Sequence, residues 1–311
     1  MAILTVTLNP TVDKTYYLDK ITPGAVHHVK EAHTCPAGKG VNVARVILLL
    51  DPQEGLVSTT GFTGGYNGAS IIEGLTNDGL NPDFVPIDQE SRVCVALIDA
   101  STGKDTKINE KGPEVTDGDC DAFLRKLEHL APKYEYIAFC GRTPPGARDT
   151  LYAEAIKIAQ TAGAKAVLDT AEASLVEGLK ALPAYCKINI HELSQAIGKP
   201  LETHKEAAKA AESWLDKGVE MIITFGGEGA LWAGHPSIMA HPPIIKYLSA
   251  VGSGDAFLGG MLVGLHQHLS SIETLKLAVA AGSSAAEQMT VGALNPTTVE
   301  LYRNQIEVMA F

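Results

Sequence analysis

The chain has 311 residues, of which 45% are hydrophobic and 20% charged, and its formal net charge is −11. A chain this acidic, with no basic run, is not expected to bind nucleic acid or an anionic membrane surface, and no apolar stretch is long enough to span a bilayer. The five cysteines are odd in number, widely spaced and free of any C-x-x-C pair, which argues for reduced thiols in a cytoplasmic protein and against a disulfide framework or structural zinc.

Residues 1–8 read as a first strand and lack the basic start and small-residue cleavage site of a signal peptide. Residues 40–50 form a helical pattern that stops before Pro52. A strand at 56–60 precedes a helix at 69–76, with Gly79 just beyond its end. A short apolar strand at 136–140 leads to a helix from about 147 to 160, and 166–169 is the next strand. A helix at 206–217, closed by Gly218, leads to a strand at 221–225. The last third is helical, at about 255–268, 272–288 and 298–309. Residues 15–35 and 92–109 break the alternation and read as short strands of polar alternation. The expected architecture is one α/β domain over 1–311, with a mostly parallel central sheet and a small β lid from about 14–36 and 90–111.

Five segments carry chemistry. Gly252-Ser253-Gly254-Asp255 runs from small residues straight into an apolar helix. The first amides of such a helix are free, glycine lets an anion approach them, and the helix dipole adds attraction. Asp255 would sit beside a bound phosphate and could accept a hydroxyl proton; an acidic residue that merely favours the dipole fits the turn equally well. Gly38-Lys39-Gly40-Val41-Asn42 opens another helix without Walker spacing, and Asn42 offers both donor and acceptor to sugar hydroxyls. Asp13, just after the first strand, suits two adjacent hydroxyls or is a solvated turn residue.

In Lys187-Ile188-Asn189-Ile190-His191-Glu192, the three-residue spacing of Asn189 and Glu192 suits one Mg²⁺ with its waters, and equally a capping box. Residues 223–231, with Thr224, Gly226, Gly227 and Gly229, read as strand, glycine turn and strand near a nucleotide. They lack the full dinucleotide fingerprint. Arg92 and Arg142 match phosphate geometry. His27, His28 and His33 have no zinc-hydrolase spacing.

Together these segments resemble the ribokinase-like carbohydrate kinases of the PfkB family, in the branch of 1-phosphofructokinase, tagatose-6-phosphate kinase and the minor 6-phosphofructokinase. The resemblance spans nearly the whole chain. It rests on residues 9–14 (NPTVDK), 37–45 (AGKGVNVAR), 109–113 (NEKGP), 143–146 (TPPG), 224–231 (TFGGEGAL) and 252–255 (GSGD), in that order. It implies phosphoryl transfer from ATP to a ketohexose phosphate, with fructose 1-phosphate going to fructose 1,6-bisphosphate as the leading reading. Tagatose-6-phosphate kinase or 6-phosphofructokinase activity is the alternative, and a non-catalytic sugar- or nucleotide-binding regulator the rival of another class.

By the same resemblance Asp255 is the base, and the amides of Gly252, Ser253 and Gly254 are the anion hole. Asp13, Gly38, Lys39 and Asn42 hold the sugar, Glu110 meets a hydroxyl from the lid, and Arg92 takes the substrate phosphate. Asn189 and Glu192 organise Mg²⁺. Lys187 and the 224–229 turn lie along ATP, and the adenine sits near Ser283 and the 292–295 turn. A monovalent cation such as K⁺ near 249–251 and a homodimer through the β lid are further implications. The chain departs from the family pattern at Ile188, where proline is common, at Arg142, where a small hydroxyl residue is common, and at Ser253, where alanine is commoner.

Overall fold

The computed structural model describes residues 2–311; Met1, included in the expected first strand, lies outside the described residues. In chain order the first elements are β1 (Ala2–Thr7), β2 (Thr11–Leu18), β3 (Glu31–Ala37), α1 (Lys39–Leu50), β4 (Val57–Gly64), α2 (Gly65–Asn77), β5 (Asn81–Pro82), β6 (Val85–Ile87), β7 (Arg92–Asp99) and β8 (Lys104–Asn109). The middle of the chain forms α3 (Asp117–Leu130), β9 (Tyr134–Cys140), α4 (Leu151–Thr161), β10 (Lys165–Asp169), α5 (Glu172–Lys180), β11 (Tyr185–Asn189), α6 (Ile190–Ile197) and α7 (His204–Leu215). The rest is β12 (Glu220–Thr224), β13 (Ala230–Ala233), β14 (Ile238–Ala240), α8 (Ser253–His266), α9 (Ser271–Ala285), α10 (Pro296–Gln305) and β15 (Val308–Ala310).

The large sheet runs β15-β14-β13-β12-β11-β10-β9-β1-β4-β5, with β6 beside β4. From β5 to β12 every pairing is parallel; β12 to β15 is antiparallel. Parallel strands are covered on both faces and so read as continuous apolar runs. Alternate residues of β1 feed two separate cores. Ile3 packs with α1, α2, α8, α9 and α10 on one face, and Leu4 and Val6 pack with α3 to α7 on the other. Among the described residues no helix is long and apolar enough to cross a membrane.

The stretches expected as irregular strands form a separate four-stranded sheet, β3-β2-β7-β8, rooted beside the end of β1. Asp13 lies in register with Cys35 on one side and Cys94 on the other.

Three local expectations need correction. The last helix, expected to reach residue 309, stops at Gln305, because Val308–Ala310 instead pairs antiparallel with β14 and covers that edge. Helices α3 and α5 were not anticipated. The first carries a signal that could have revealed it, a capping box in which Thr116 and Asp119 exchange side-chain bonds with each other's backbone amide.

Helix α8 is buried over Asp255–Leu265 without a polar face, as expected of a helix enclosed on all sides. Glycines allow that enclosure: a Cβ on Gly259 would lie 2.4 Å from Val46 Cγ1, and one on Gly260 would lie 2.9 Å from Ala281 Cβ. Gly260→Ala should therefore force α8 and α9 apart and cost about 1–3 kcal/mol. Gly118→Ala in α3 meets nothing closer than 3.5 Å and should gain up to about 1 kcal/mol of helix propensity. Urea midpoints of the two variants check the opposite signs.

Candidate active site

The C-terminal ends of parallel strands are where ligands bind in open α/β sheets, and the sequence-selected residues collect there. Helix α8 begins at this edge with Gly252 as N-cap at φ 83, a left-handed conformation that favours glycine, and no side chain caps it. The Ser253 amide is taken by the Ala250 carbonyl at 3.3 Å, and its hydroxyl donates to the same oxygen. Among the described residues the Gly254 and Asp255 amides have no acceptor outside the helix. Of the expected donors, the Ser253 amide is engaged within the turn, while among the described residues the Gly252 amide, like those of Gly254 and Asp255, has no acceptor.

Asp255 is 8% exposed and accepts a hydrogen bond from Asn42 Nδ2 at 2.8 Å. Burial pushes its carboxyl up to about 6, against the pull of Lys39, Asn42 and Lys187 and with a push from Asp169. Such a carboxyl is mostly ionised at neutral pH yet takes a proton more readily than an ordinary aspartate.

Asp169, which sequence reasoning left out, organises the floor. It ends β10, is wholly buried, and receives Lys39 Nζ at 2.7 Å and Lys187 Nζ at 3.1 Å, one on each oxygen. Burial alone would raise its carboxyl, but the two ammonium groups hold it below the usual carboxylate range. Burial would likewise depress Lys39, and Asp169 more than reverses that, so it sits above an ordinary lysine. Lys187 Nζ also lies 3.2 Å from where a Cβ on Gly254 would be, so it reaches the anion turn itself. The available signal for Asp169 was its position, an acidic residue closing an apolar strand at the ligand-binding edge.

The expected acceptor front is brought together only in part. Gly38 caps α1 at φ 134, and a Cβ there would meet Thr7 Cγ2 at 2.7 Å. Asn42 keeps Oδ1 buried and unpaired, as does Asp13 its Oδ1. Burial raises the Asp13 carboxyl, with Arg92 and Thr11 opposing. Two orphaned buried acceptors, one on α1 and one on β2, fit hydroxyl donors of a ligand.

Arg92 does not project freely. It donates to the carbonyls of Asn9 (2.9 Å) and Glu110 (3.3 Å), which roots the smaller sheet, and only Nε is left without a partner. Glu110 is also partly committed, accepting the Val93 amide at 2.8 Å. Arg142, just past β9, pairs with Glu172 at 2.8 Å.

A cavity of about 340 Å³ opens beside the anion turn, lined by Thr224, the glycines 226, 227 and 229, Gly254, Phe257 and Ser283 among others. It joins the 224–229 turn to α8 and α9, and its lining includes neither Lys187 nor the 292–295 turn. Asn189 and Glu192 adopt the capping box: Asn189 Oδ1 accepts the Glu192 amide (2.9 Å) and Glu192 Oε2 accepts the Asn189 amide (3.0 Å). Among the described residues no group of three or more His, Cys, Asp or Glu could hold a metal. The second Glu192 oxygen remains available, which fits a Mg²⁺ that keeps its waters and leans on phosphates.

A sequence profile of the pfkB family carbohydrate kinases matches residues 6–298. A Staphylococcus aureus protein described as a putative phosphofructokinase is 27% identical, covers 99% of both chains and superposes with a TM-score of 0.86. Escherichia coli phosphofructokinase-2, solved with potassium, is 24% identical over 98% of each chain, TM-score 0.89. A possible 1-phosphofructokinase from Thermotoga maritima is 23% identical over the full length of both chains, TM-score 0.89. With its mostly parallel sheet between helices and a family match over nearly its whole length, the chain belongs to the pfkB family of carbohydrate kinases.

Proposed function

We propose that the protein moves the γ-phosphoryl group of ATP to a ketohexose phosphate, with fructose 1-phosphate as the leading acceptor and fructose 6-phosphate or tagatose 6-phosphate as the alternatives. The observation that carries this reading is the position of Asp255. It is buried, bonded to Asn42 of the acceptor front, and set in the first turn of the helix that also borders the nucleotide cavity. A single carboxylate thus bonds to the acceptor front from between Gly254 and Phe257, which line the cavity, a placement that a binding-only regulator has no need of.

In this reading the acceptor hydroxyl is oriented by Asp13, Gly38 and Asn42 and loses its proton to Asp255 as attack proceeds. The Gly254 and Asp255 amides, the positive end of α8 and Lys187 offset charge on the transferring group, so positioning and electrostatics carry the catalysis. Asn189 and Glu192 would hold Mg²⁺ through its waters, where its charge would offset that of the phosphates. A K⁺ near residues 249–251 belongs to the same reading. The smaller sheet would act as lid, and we further infer that it joins two copies. Its outer strand β8 is exposed at all six residues, Ile108 included. Light scattering should give a dimer mass, and a monomer at working concentrations would remove that part.

A coupled ADP-release assay with the three sugar phosphates tests the main proposal; no turnover with any of them would sink it. Asp255→Asn should keep ATP affinity and lose roughly 10²-fold or more in kcat. Because the base must be ionised and its carboxyl is raised to about 6, wild-type kcat/KM should fall as pH drops through about 6, and this limb should vanish in Asp255→Asn. Asp169→Asn strands two lysines without their carboxylate and should cost about 3–5 kcal/mol of stability in urea unfolding. It also removes the negative charge that adds to burial in raising Asp255, so its acidic limb should move to lower pH.

A further inference from the structure

Most cations near the acceptor front are already engaged within the protein. Lys39 and Lys187 hold the buried Asp169. Arg92 holds two backbone carbonyls. Arg45 makes two hydrogen bonds to Asp78 Oδ2, at 2.8 and 2.6 Å. Each of these thus already has a structural partner, although Arg92 keeps Nε unpaired.

Arg142 differs. Among the described residues its one partner is Glu172, through a single Nη2–Oε1 contact of 2.8 Å, and the two side chains are 69% and 61% exposed. An exposed pair of this kind is weak. The backbone beneath it is not. Gly141, at φ 82, donates its amide to the Asp169 carbonyl (2.8 Å), while its own carbonyl accepts from Thr170 Oγ1 (2.8 Å) and Tyr152 Oη (3.0 Å). A Cβ on Gly141 would lie 3.4 Å from Lys39 Cβ. A rigid turn packed on Lys39 thus presents a loosely held guanidinium at the rim of the acceptor front. Glu172 is itself unusual: it opens α5 at φ 59, a left-handed conformation rare for a residue with a side chain.

We infer that Arg142 is the specificity residue that selects a phosphorylated over an unphosphorylated sugar, and that Glu172 is an internal carboxylate which the substrate phosphate displaces. The inference rests on the sugar-phosphate reading above. A phosphate dianion offers the guanidinium two parallel hydrogen bonds where Glu172 makes a single ion-pair contact. A neutral hydroxyl cannot compete with either. Glu172, once released, is already in solvent and carries no burial penalty. The pair acts as a threshold that only a strongly anionic ligand crosses.

The test is an NMR titration of the full-length protein with fructose 1-phosphate, fructose 6-phosphate, tagatose 6-phosphate and fructose, in wild type, Arg142→Ala, Arg142→Lys and Glu172→Gln. Arg142→Ala should weaken the preferred sugar phosphate about tenfold or more, the scale of a charged hydrogen bond, and leave fructose unchanged. Arg142→Lys should recover only part of that loss. Glu172→Gln should tighten the sugar phosphate by up to about fivefold, the scale of an exposed pair, again with fructose unchanged. Equal weakening of phosphorylated and plain sugars, no effect of Arg142→Ala, or a Glu172→Gln variant that binds no tighter would each overturn the inference. Since binding needs no turnover, a protein that binds sugar phosphates through Arg142 but releases no ADP would refute the kinase reading alone. Failure of wild type to bind any of the sugar phosphates would overturn both.

Discussion

The buried Asp169 carboxylate between two lysines is the constraint around which the catalytic edge is arranged. A lone charge at that depth would cost several kcal/mol, and each lysine would be equally unwelcome without it. Lys39 sits in the first turn of α1, where the helix dipole disfavours a cation; the carboxylate makes the position tenable. The lysines come from α1 and β11, so one side chain ties the central strand β10 to the acceptor front and to the strand that leads to the Asn189–Glu192 cap. The arrangement is rigid because none of its three members can leave without exposing the others.

Asp255 inherits its properties from this ionic floor. Burial raises its carboxyl, the two lysines lower it, and Asp169 partly cancels the lysines. The outcome is a carboxylate whose proton affinity lies closer to neutrality than that of a surface aspartate, which suits a group that must accept a proton during turnover and give it up afterwards. Asn42 adds direction to that tuning by fixing one oxygen. Basicity and orientation are thus set by different neighbours.

Much of the architecture was legible in the sequence because parallel strands are apolar on both faces and helices end at glycines; the glycine turn before Asp255 and the strand–turn–strand at 223–231 were visible for the same reason. What escaped depends on partners distant in sequence. Asp169 looks like any strand-ending acid until two lysines, 130 and 18 residues away, arrive beside it. Arg92 reads as a phosphate ligand, and the structure sets two of its nitrogens on main-chain carbonyls that no pattern announces, with Nε left unpaired. The 308–310 segment had helical surroundings and became a strand because β14 offered an unpaired edge. Asn189 and Glu192 allowed a cap or a metal role, and the geometry realises the cap while leaving one Glu192 oxygen for other use.

The close packing of α8 also bears on which parts can move during a catalytic cycle. The helix is pressed against α1 and α9 with glycines at the contacts and has no solvent face along most of its length. Sliding or tilting it would open voids or drive backbone into backbone, so Asp255 is in effect bolted to the frame. Adaptation to ligands of different size must then fall on the thinner parts of the molecule, the four-stranded sheet and the irregular 241–252 segment that walls the cavity beside α8. In such a division of labour the chemistry stays in register while the jaws around it change, so selectivity can drift through loop and rim residues without detuning the reaction.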